Sequence, residues 1–145
     1  MNTDTIQNIE NEIVEEFSIF DEWMDKYEYI IEMGKTLPRL DDKYKIEEKK
    51  VAGCQSQVWL NSKYKNGKVI FEADSDAIIT KGLIGLLIKV LSNQTPEDII
   101  NAKLEFIDKI GMKDHLSMNR ANGLTAMIRR MKSDANEFIL NQHAN

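Results

Sequence analysis

Along the first third of the chain, Ile6, Ile9, Ile13, Val14 and Phe17 recur mostly at steps of three and four, with Glu10, Glu12, Glu15 and Glu16 between them. That spacing predicts an amphipathic helix. A second stripe, Trp23, Tyr27, Ile30 and Ile31, predicts another, with Asp21 placed to cap it. The pattern fades at Gly34, and Pro38 follows, a common stop signal. The middle of the chain changes period. Tyr44, Ile46 and Val51 suggest a short first strand in a lysine- and glutamate-rich stretch. In Gln57–Tyr64, Val58, Leu60, Ser62 and Tyr64 share one face and Trp59 takes the other. Asn66-Gly67 is a strong hairpin signal, because both residues tolerate positive φ. Lys68–Asp74 then returns as a strand with Val69, Phe71 and Ala73 on one side.

The remainder reads as helix. Ser75 or Asp76 is placed to cap Ala77–Leu91, which is apolar nearly all round and therefore centrally buried. Thr95-Pro96-Glu97-Asp98 combines a cap, a proline at the first helical position and two acids in the first turn. Leu104, Phe106, Ile107 and Ile110 suggest a small packed segment. Ser117 is placed to cap a last long helix with a buried stripe of Leu124, Met127, Ile128, Met131 and Phe138. Two helices, a small antiparallel sheet of three strands, then several helices make an α+β fold with helices packed on one face of the sheet.

Composition narrows the possibilities. At 145 residues, with 42% hydrophobic and 30% charged residues, the chain has the size and balance of one globular domain spanning its whole length. No linker or internal repeat interrupts it. One cysteine and two histidines exclude an internal disulfide, a four-ligand cysteine or cysteine–histidine zinc site and a four-cysteine iron–sulfur centre. A reducing cytoplasm suits such a thiol. The net charge of −5 argues against nucleic acid as a partner. The charge is uneven: residues 1–34 carry ten acids and one base, whereas the rest is net positive. The acids either line solvent faces of the first helices or form a docking face. The longest apolar run, Gly82–Ile88, is far short of the roughly 20 residues that span a membrane. The N-terminal residues lack the pattern of a secretory signal.

The single thiol lies in Gly53-Cys54-Gln55-Ser56-Gln57-Val58-Trp59. Gly53 lets the chain turn, and the next strand follows at once, so Cys54 is expected at a loop tip between strands. Thiol chemistry needs a thiolate. No base is adjacent in sequence. A hydrolase would need a histidine beside Cys54, and His143 lies near the C-terminus, which leaves His115.

The heptapeptide resembles the active loop of the SufE family, the sulfur-acceptor proteins of iron–sulfur cluster assembly. Further motifs resemble the family in the same order. These are Tyr27-Glu28-Tyr29-Ile30-Ile31-Glu32-Met33-Gly34 with Leu37-Pro38, Asp74-Ser75-Asp76-Ala77 with Lys81-Gly82-Leu83-Ile84, and Thr95-Pro96-Glu97-Asp98-Ile99. The last comprises His115-Leu116-Ser117, Arg120, Gly123-Leu124 and Ala126-Met127-Ile128-Arg129. Together they cover roughly residues 20–132. One departure is Met118, where the family often has proline.

The resemblance implies a SufE/NifU-like fold and a function. Cys54 would take sulfane sulfur as a transient persulfide from a cysteine desulfurase of the SufS or CsdA type, stimulate it, and pass the sulfur to a scaffold of the SufBCD type. The protein would be a sulfur-transfer partner with no bound cofactor and no resident metal; the pyridoxal phosphate (PLP) belongs to the desulfurase. Gly53, Gln55, Ser56 and Gln57 would support the loop. Val51, Val58 and Trp59 are expected to wall a resting pocket for the thiol. Asp74, Asp76, Arg120 and His115 are candidates for partner docking; for Asp74 and Asp76 the alternative is helix capping, and for Arg120 an internal carboxylate. The rival readings are a NifU- or IscU-like cluster scaffold, which usually needs three cysteines, and a Cys54/His115 thiol hydrolase.

Overall fold

The computed structural model describes residues 5–143. Helix α1 (Ile6–Ser18) starts on Thr5, whose hydroxyl accepts from the Asn8 N–H. It buries Ile6, Ile9, Ile13 and Phe17, the expected stripe. Helix α2 (Trp23–Lys35) follows after a short turn, with Glu22 and not Asp21 at its cap position and no side-chain cap bond. Strands β1 (Val58–Lys65) and β2 (Lys68–Ser75) pair antiparallel from Val58↔Ser75 to Lys65↔Lys68. Asn66 at φ 55° and Gly67 at φ 81° close the hairpin, as their sequence requires.

The expected third strand does not form: the sheet has two strands. The segment around Tyr44 and Ile46 instead makes two short 3-10 turns, Asp42–Tyr44 and Glu47–Lys49. The Asp41 carboxylate accepts from the Lys43 N–H at 3.1 Å, which folds the backbone back on itself. Ile46 stays in solvent, so no apolar face pulls the segment onto the sheet. Its backbone joins β1 at its end, where the Val51 N–H donates to the Val58 carbonyl at 2.8 Å.

Helix α3 (Ile78–Leu91) is the centre of the core, burying Leu83, Ile84, Leu86, Leu87, Val90 and Leu91. It crosses α2 at backbone contact. A Cβ on Gly82 would lie 2.2 Å from the Ile30 carbonyl oxygen, and one on Gly85 2.7 Å from that of Met33. No side chain fits between the two helices there. Helices α4 (Pro96–Asn101, capped by Thr95) and α5 (Phe106–Lys109) lead to a 3-10 turn at Met112–His115. Helix α6 (Met118–His143) then runs back across the molecule. The Ser117 hydroxyl accepts from the Arg120 N–H at 3.2 Å, the predicted cap. Leu124, Met127 and Met131 are buried, and Phe138 stacks on Tyr64 of β1. No helix among the described residues is long and apolar enough to cross a membrane.

Candidate functional site

The loop between the Val51–Val58 contact and β1 carries Cys54. Gly53 stands at φ +93°, a left-handed conformation that a residue with a Cβ adopts only under strain. A Cβ there would also press to 3.2 Å from the Ala126 Cβ. The turn directs Cys54 inward to α6, where its Sγ lies 3.7 Å from the Gly123 carbonyl oxygen and donates to it. The thiol is half-buried, and burial pushes its pKa up.

Beside it opens a pocket of about 280 Å³. Its walls come from the loop (Cys54, Gln55, Ser56), the start of α3 (Ala77, Thr80, Leu83) and the start of α6. The α6 wall is Ser117, Asn119, Arg120, Gly123 and Met127. Val51, Val58 and Trp59, expected as walls, do not line it. Val51 and Val58 are core residues, and Trp59 points to the other face of β1, with the Lys45 ammonium 5.8 Å over its ring.

The loop is anchored firmly at its base and lightly at its tip. At the base, the Gln57 N–H donates to the Asp76 carboxylate at 3.0 Å and the Gln57 side-chain amide adds a second bond. The Ser75 hydroxyl donates to the Gln57 carbonyl at 2.8 Å. These duties explain why neither Ser75 nor Asp76 is the cap of α3, which begins after Ala77 without a side-chain cap. On the other flank the Arg130 guanidinium donates to the carbonyls of Glu48 and Lys50, and Asp134 orients it. At the tip, the Asn119 amide donates to Gln55 Oε1 at 3.0 Å.

The sequence-derived candidates are distributed unevenly about this site. Asp74 is tied inside the fold, 2.9 Å from Lys45 and 3.2 Å from Lys81. Burial alone would raise its pKa, but the bonds from Lys45, the Ser75 N–H and Lys81 outweigh it and hold the carboxyl below its usual value. Arg120 lines the pocket, is exposed, and has no ion pair among the described residues. His115 lies apart from the thiol's partners: its ring stacks on Trp23 at 3.9 Å between centroids, and its carbonyl accepts from the Tyr27 hydroxyl. No hydrogen bond joins it to Cys54, so the dyad of a thiol hydrolase is not formed. Asn119, Thr80, Arg130 and Asp134 were not singled out from the sequence, and Gly123 stood there only as part of a family motif. For α6 a signal existed, since Arg120, Gly123, Met127 and Arg130 recur at steps of three and four beside the expected core stripe.

The chain matches the family profile described as "SufE: Fe-S metabolism associated domain" over residues 11–135. It is 41% identical over 130 residues to an uncharacterized SufE-like protein of Rhizobium meliloti, covering 86% of this chain and 93% of that protein. An uncharacterized SufE-like protein of Rhizobium etli is 38% identical over 130 residues, covering 86% of this chain and 88% of its own length. Among solved structures, that of a hypothetical protein from Thermus thermophilus superposes with a TM-score of 0.76 at 19% identity, covering 91% of this chain and 96% of the other. That last likeness concerns the fold.

Proposed function

The chain belongs to the SufE family, associated with Fe–S metabolism, and from that premise we propose that it is a sulfur acceptor working through a persulfide on Cys54. The donor is a PLP-dependent cysteine desulfurase of the SufS or CsdA type, which the acceptor stimulates by removing its sulfur. The Cys54 thiolate attacks the sulfane sulfur of the donor's cysteine persulfide. One S–S bond forms at Cys54 Sγ, the donor's S–S bond breaks, and the donor cysteine leaves as a thiolate that takes up the proton Cys54 gave up. The sulfur changes carrier with no net oxidation, so no further reagent is needed. A scaffold of the SufBCD type receives it in a second exchange of the same kind.

The observation that carries this reading is the placement of the chain's single thiol on a lightly latched loop against a pocket of about 280 Å³. One water occupies a share of roughly 30 Å³ in the liquid, so one added sulfur fits beside Cys54 with space to spare. The first turns of α3 and α6 both line the pocket. Their positive ends favour a thiolate or persulfide anion once the loop presents it. At rest, burial keeps the thiol protonated and unreactive, and the absence of a second cysteine removes the intramolecular attack that would release sulfide. The test is desulfurase turnover, followed as alanine formed from cysteine. Wild-type protein is expected to raise it and Cys54→Ser is not. Equal stimulation by both proteins ends the proposal.

A further inference from the structure

Two surfaces of this chain, both away from the thiol, complement one another in charge. The first is the corner between α1 and α2. Ile19 and Met24 stand out there at 74% and 71% exposure, on either side of the Phe20–Trp23 turn. Asp21, Glu22, Asp25 and Glu28 share the corner; all four are exposed, and none has an ion pair among the described residues. The one base there, Lys26, lies over the Trp23 ring at 4.8 Å. A scattered exposed hydrophobic is ordinary, but two beside four unpaired carboxylates make an apolar knob in an acidic collar.

The second surface is a groove of about 540 Å³ between α5 and α6. Leu104, Ile107, Leu124 and Ile128 form its floor. Lys103, Lys113, Arg129 and Lys132 stand round it, against one carboxylate, Asp108. Lys113 engages Asp108 at 3.5 Å, and Lys132 donates to the Ala102 carbonyl at 2.6 Å. Lys103 and Arg129 are exposed and have no ion pair among the described residues. Four cations against one carboxylate make the groove net +3; four carboxylates against one lysine make the corner net −3. On α6, Ala121, Thr125, Ile128 and Lys132 line the groove, whereas Arg120, Gly123 and Met127 line the Cys54 pocket. At 3.6 residues per turn those faces are about 140° apart.

We propose that the chain pairs with a second copy of itself, the Ile19–Met24 knob of each copy seated in the basic groove of the other. Both surfaces border the Gly111–His115 segment: the Trp23 ring stacks on His115 and would lie 3.7 Å from a Cβ on Gly111, while Lys113 lines the groove. They therefore share one side of the molecule, and a two-fold axis brings knob to groove twice and closes the pair. An acidic segment of another protein would fit the groove but leave the knob bare; a second copy covers both. Cys54 faces away, so pairing leaves the thiol open. The inference does not depend on what Cys54 carries.

Sedimentation equilibrium of the full chain tests it, at concentrations up to about 1 mM and in about 0.1 M and about 1 M salt. The corner variant is Asp21→Lys with Asp25→Lys, and the groove variant is Lys103→Glu with Arg129→Glu. All four positions are exposed, so circular dichroism and urea midpoints should match wild type. Wild type is expected to dimerise, with a dissociation constant about tenfold or more higher at high salt. Each variant alone sets like charges together and should stay monomeric. Mixed in equal amounts, the two restore opposite charges at both contacts and should form a one-to-one pair. Ile19→Ser with Met24→Ser should weaken pairing about tenfold or more. Iodoacetamide should alkylate Cys54 equally fast in monomer and pair. Wild type that stays monomeric throughout, including wild type whose groove binds an acidic peptide, overturns the proposal. So does a charge variant that dimerises alone as wild type does, a mixture that stays monomeric, a serine variant that pairs as tightly as wild type, or a pair that shields Cys54.

Discussion

Replacing Asn119 by alanine should release the tip of the Cys54 loop without harming the fold. Between the base contacts at Val51–Val58 and Gln57–Asp76, residues 52–56 are held by two bonds to α6. These are Asn119 to Gln55 at 3.0 Å and the thiol to the Gly123 carbonyl at 3.7 Å, the second a weak sulfur bond. A typical side-chain hydrogen bond contributes about 0.5–1.5 kcal/mol, and this exposed one belongs in the lower half. Loss of about 0.5–1 kcal/mol shifts the loop toward its open state roughly two- to fivefold. Iodoacetamide reads that shift because it reacts with the thiolate of the open loop. Asn119→Ala should therefore alkylate about two- to fivefold faster at pH 7. Its rate–pH curve should also move to lower pH, because opening removes the burial that raises the thiol pKa. Stability in urea denaturation should fall by no more than that same amount, about 0.5–1 kcal/mol. Gln55→Ala should behave alike, and the double variant should add nothing, since both remove one bond. Unchanged or slower alkylation in a folded Asn119→Ala protein would refute the latch.

Three further outcomes follow from the fold. Gly82→Ala should destabilise strongly, by about 3 kcal/mol or more in urea denaturation, because its Cβ would sit 2.2 Å from the Ile30 carbonyl and backbone has no room to yield; a change under about 1 kcal/mol would mean that α2 and α3 can separate freely. Asp74 has a lowered native pKa, so its contribution is present above the unfolded value, near 3.9, and is lost as pH falls through the native one. Asp74→Asn should lower stability at pH 7 while losing less than wild type on acidification, and parallel pH–stability curves would contradict this. Glu10 is the opposite case: burial raises its pKa although its carboxylate accepts from the Phe106 N–H at 3.2 Å. Wild type should lose stability relative to Glu10→Gln as pH rises from about 4.3 through the raised native value, with the amide oxygen keeping the Phe106 bond. A gain over that interval would overturn the assignment.

Much of this architecture was written in local patterns. The apolar steps of α1, α3 and α6, the Asn66-Gly67 turn and the Thr95 and Ser117 caps each depend on a few neighbouring residues, and each is found where expected. The third strand was misread because Tyr44, Ile46 and Val51 alternate weakly, while Asp41 offers the backbone a competing turn. The missed capping of α3 has a tertiary cause: Ser75 and Asp76 are engaged by Gln57, eighteen and nineteen residues earlier. The site shows the same division. Cys54 and Gly53 stand out in sequence, the one by being alone and the other by preceding a thiol. Of the pocket's walls, Gln55, Ser56 and Arg120 were named from the sequence, whereas the rest depend on how α3 and α6 meet the loop. The choice of Val51, Val58 and Trp59 relied on closeness in sequence, whereas Val51 and Val58 pack into the core and alternation along β1 puts Trp59 on the far face. His115 was paired with Cys54 by elimination, whereas the fold gives its ring to Trp23.

The central claim is that Cys54 carries sulfur, and intact-mass spectrometry tests it most directly. Wild-type protein incubated with a cysteine desulfurase and free cysteine should gain the mass of one sulfur atom. Peptide mapping should place it on Cys54, and a thiol reductant should remove it. Cys54→Ser should gain none. An unchanged wild-type mass under conditions where the desulfurase turns over would contradict the account.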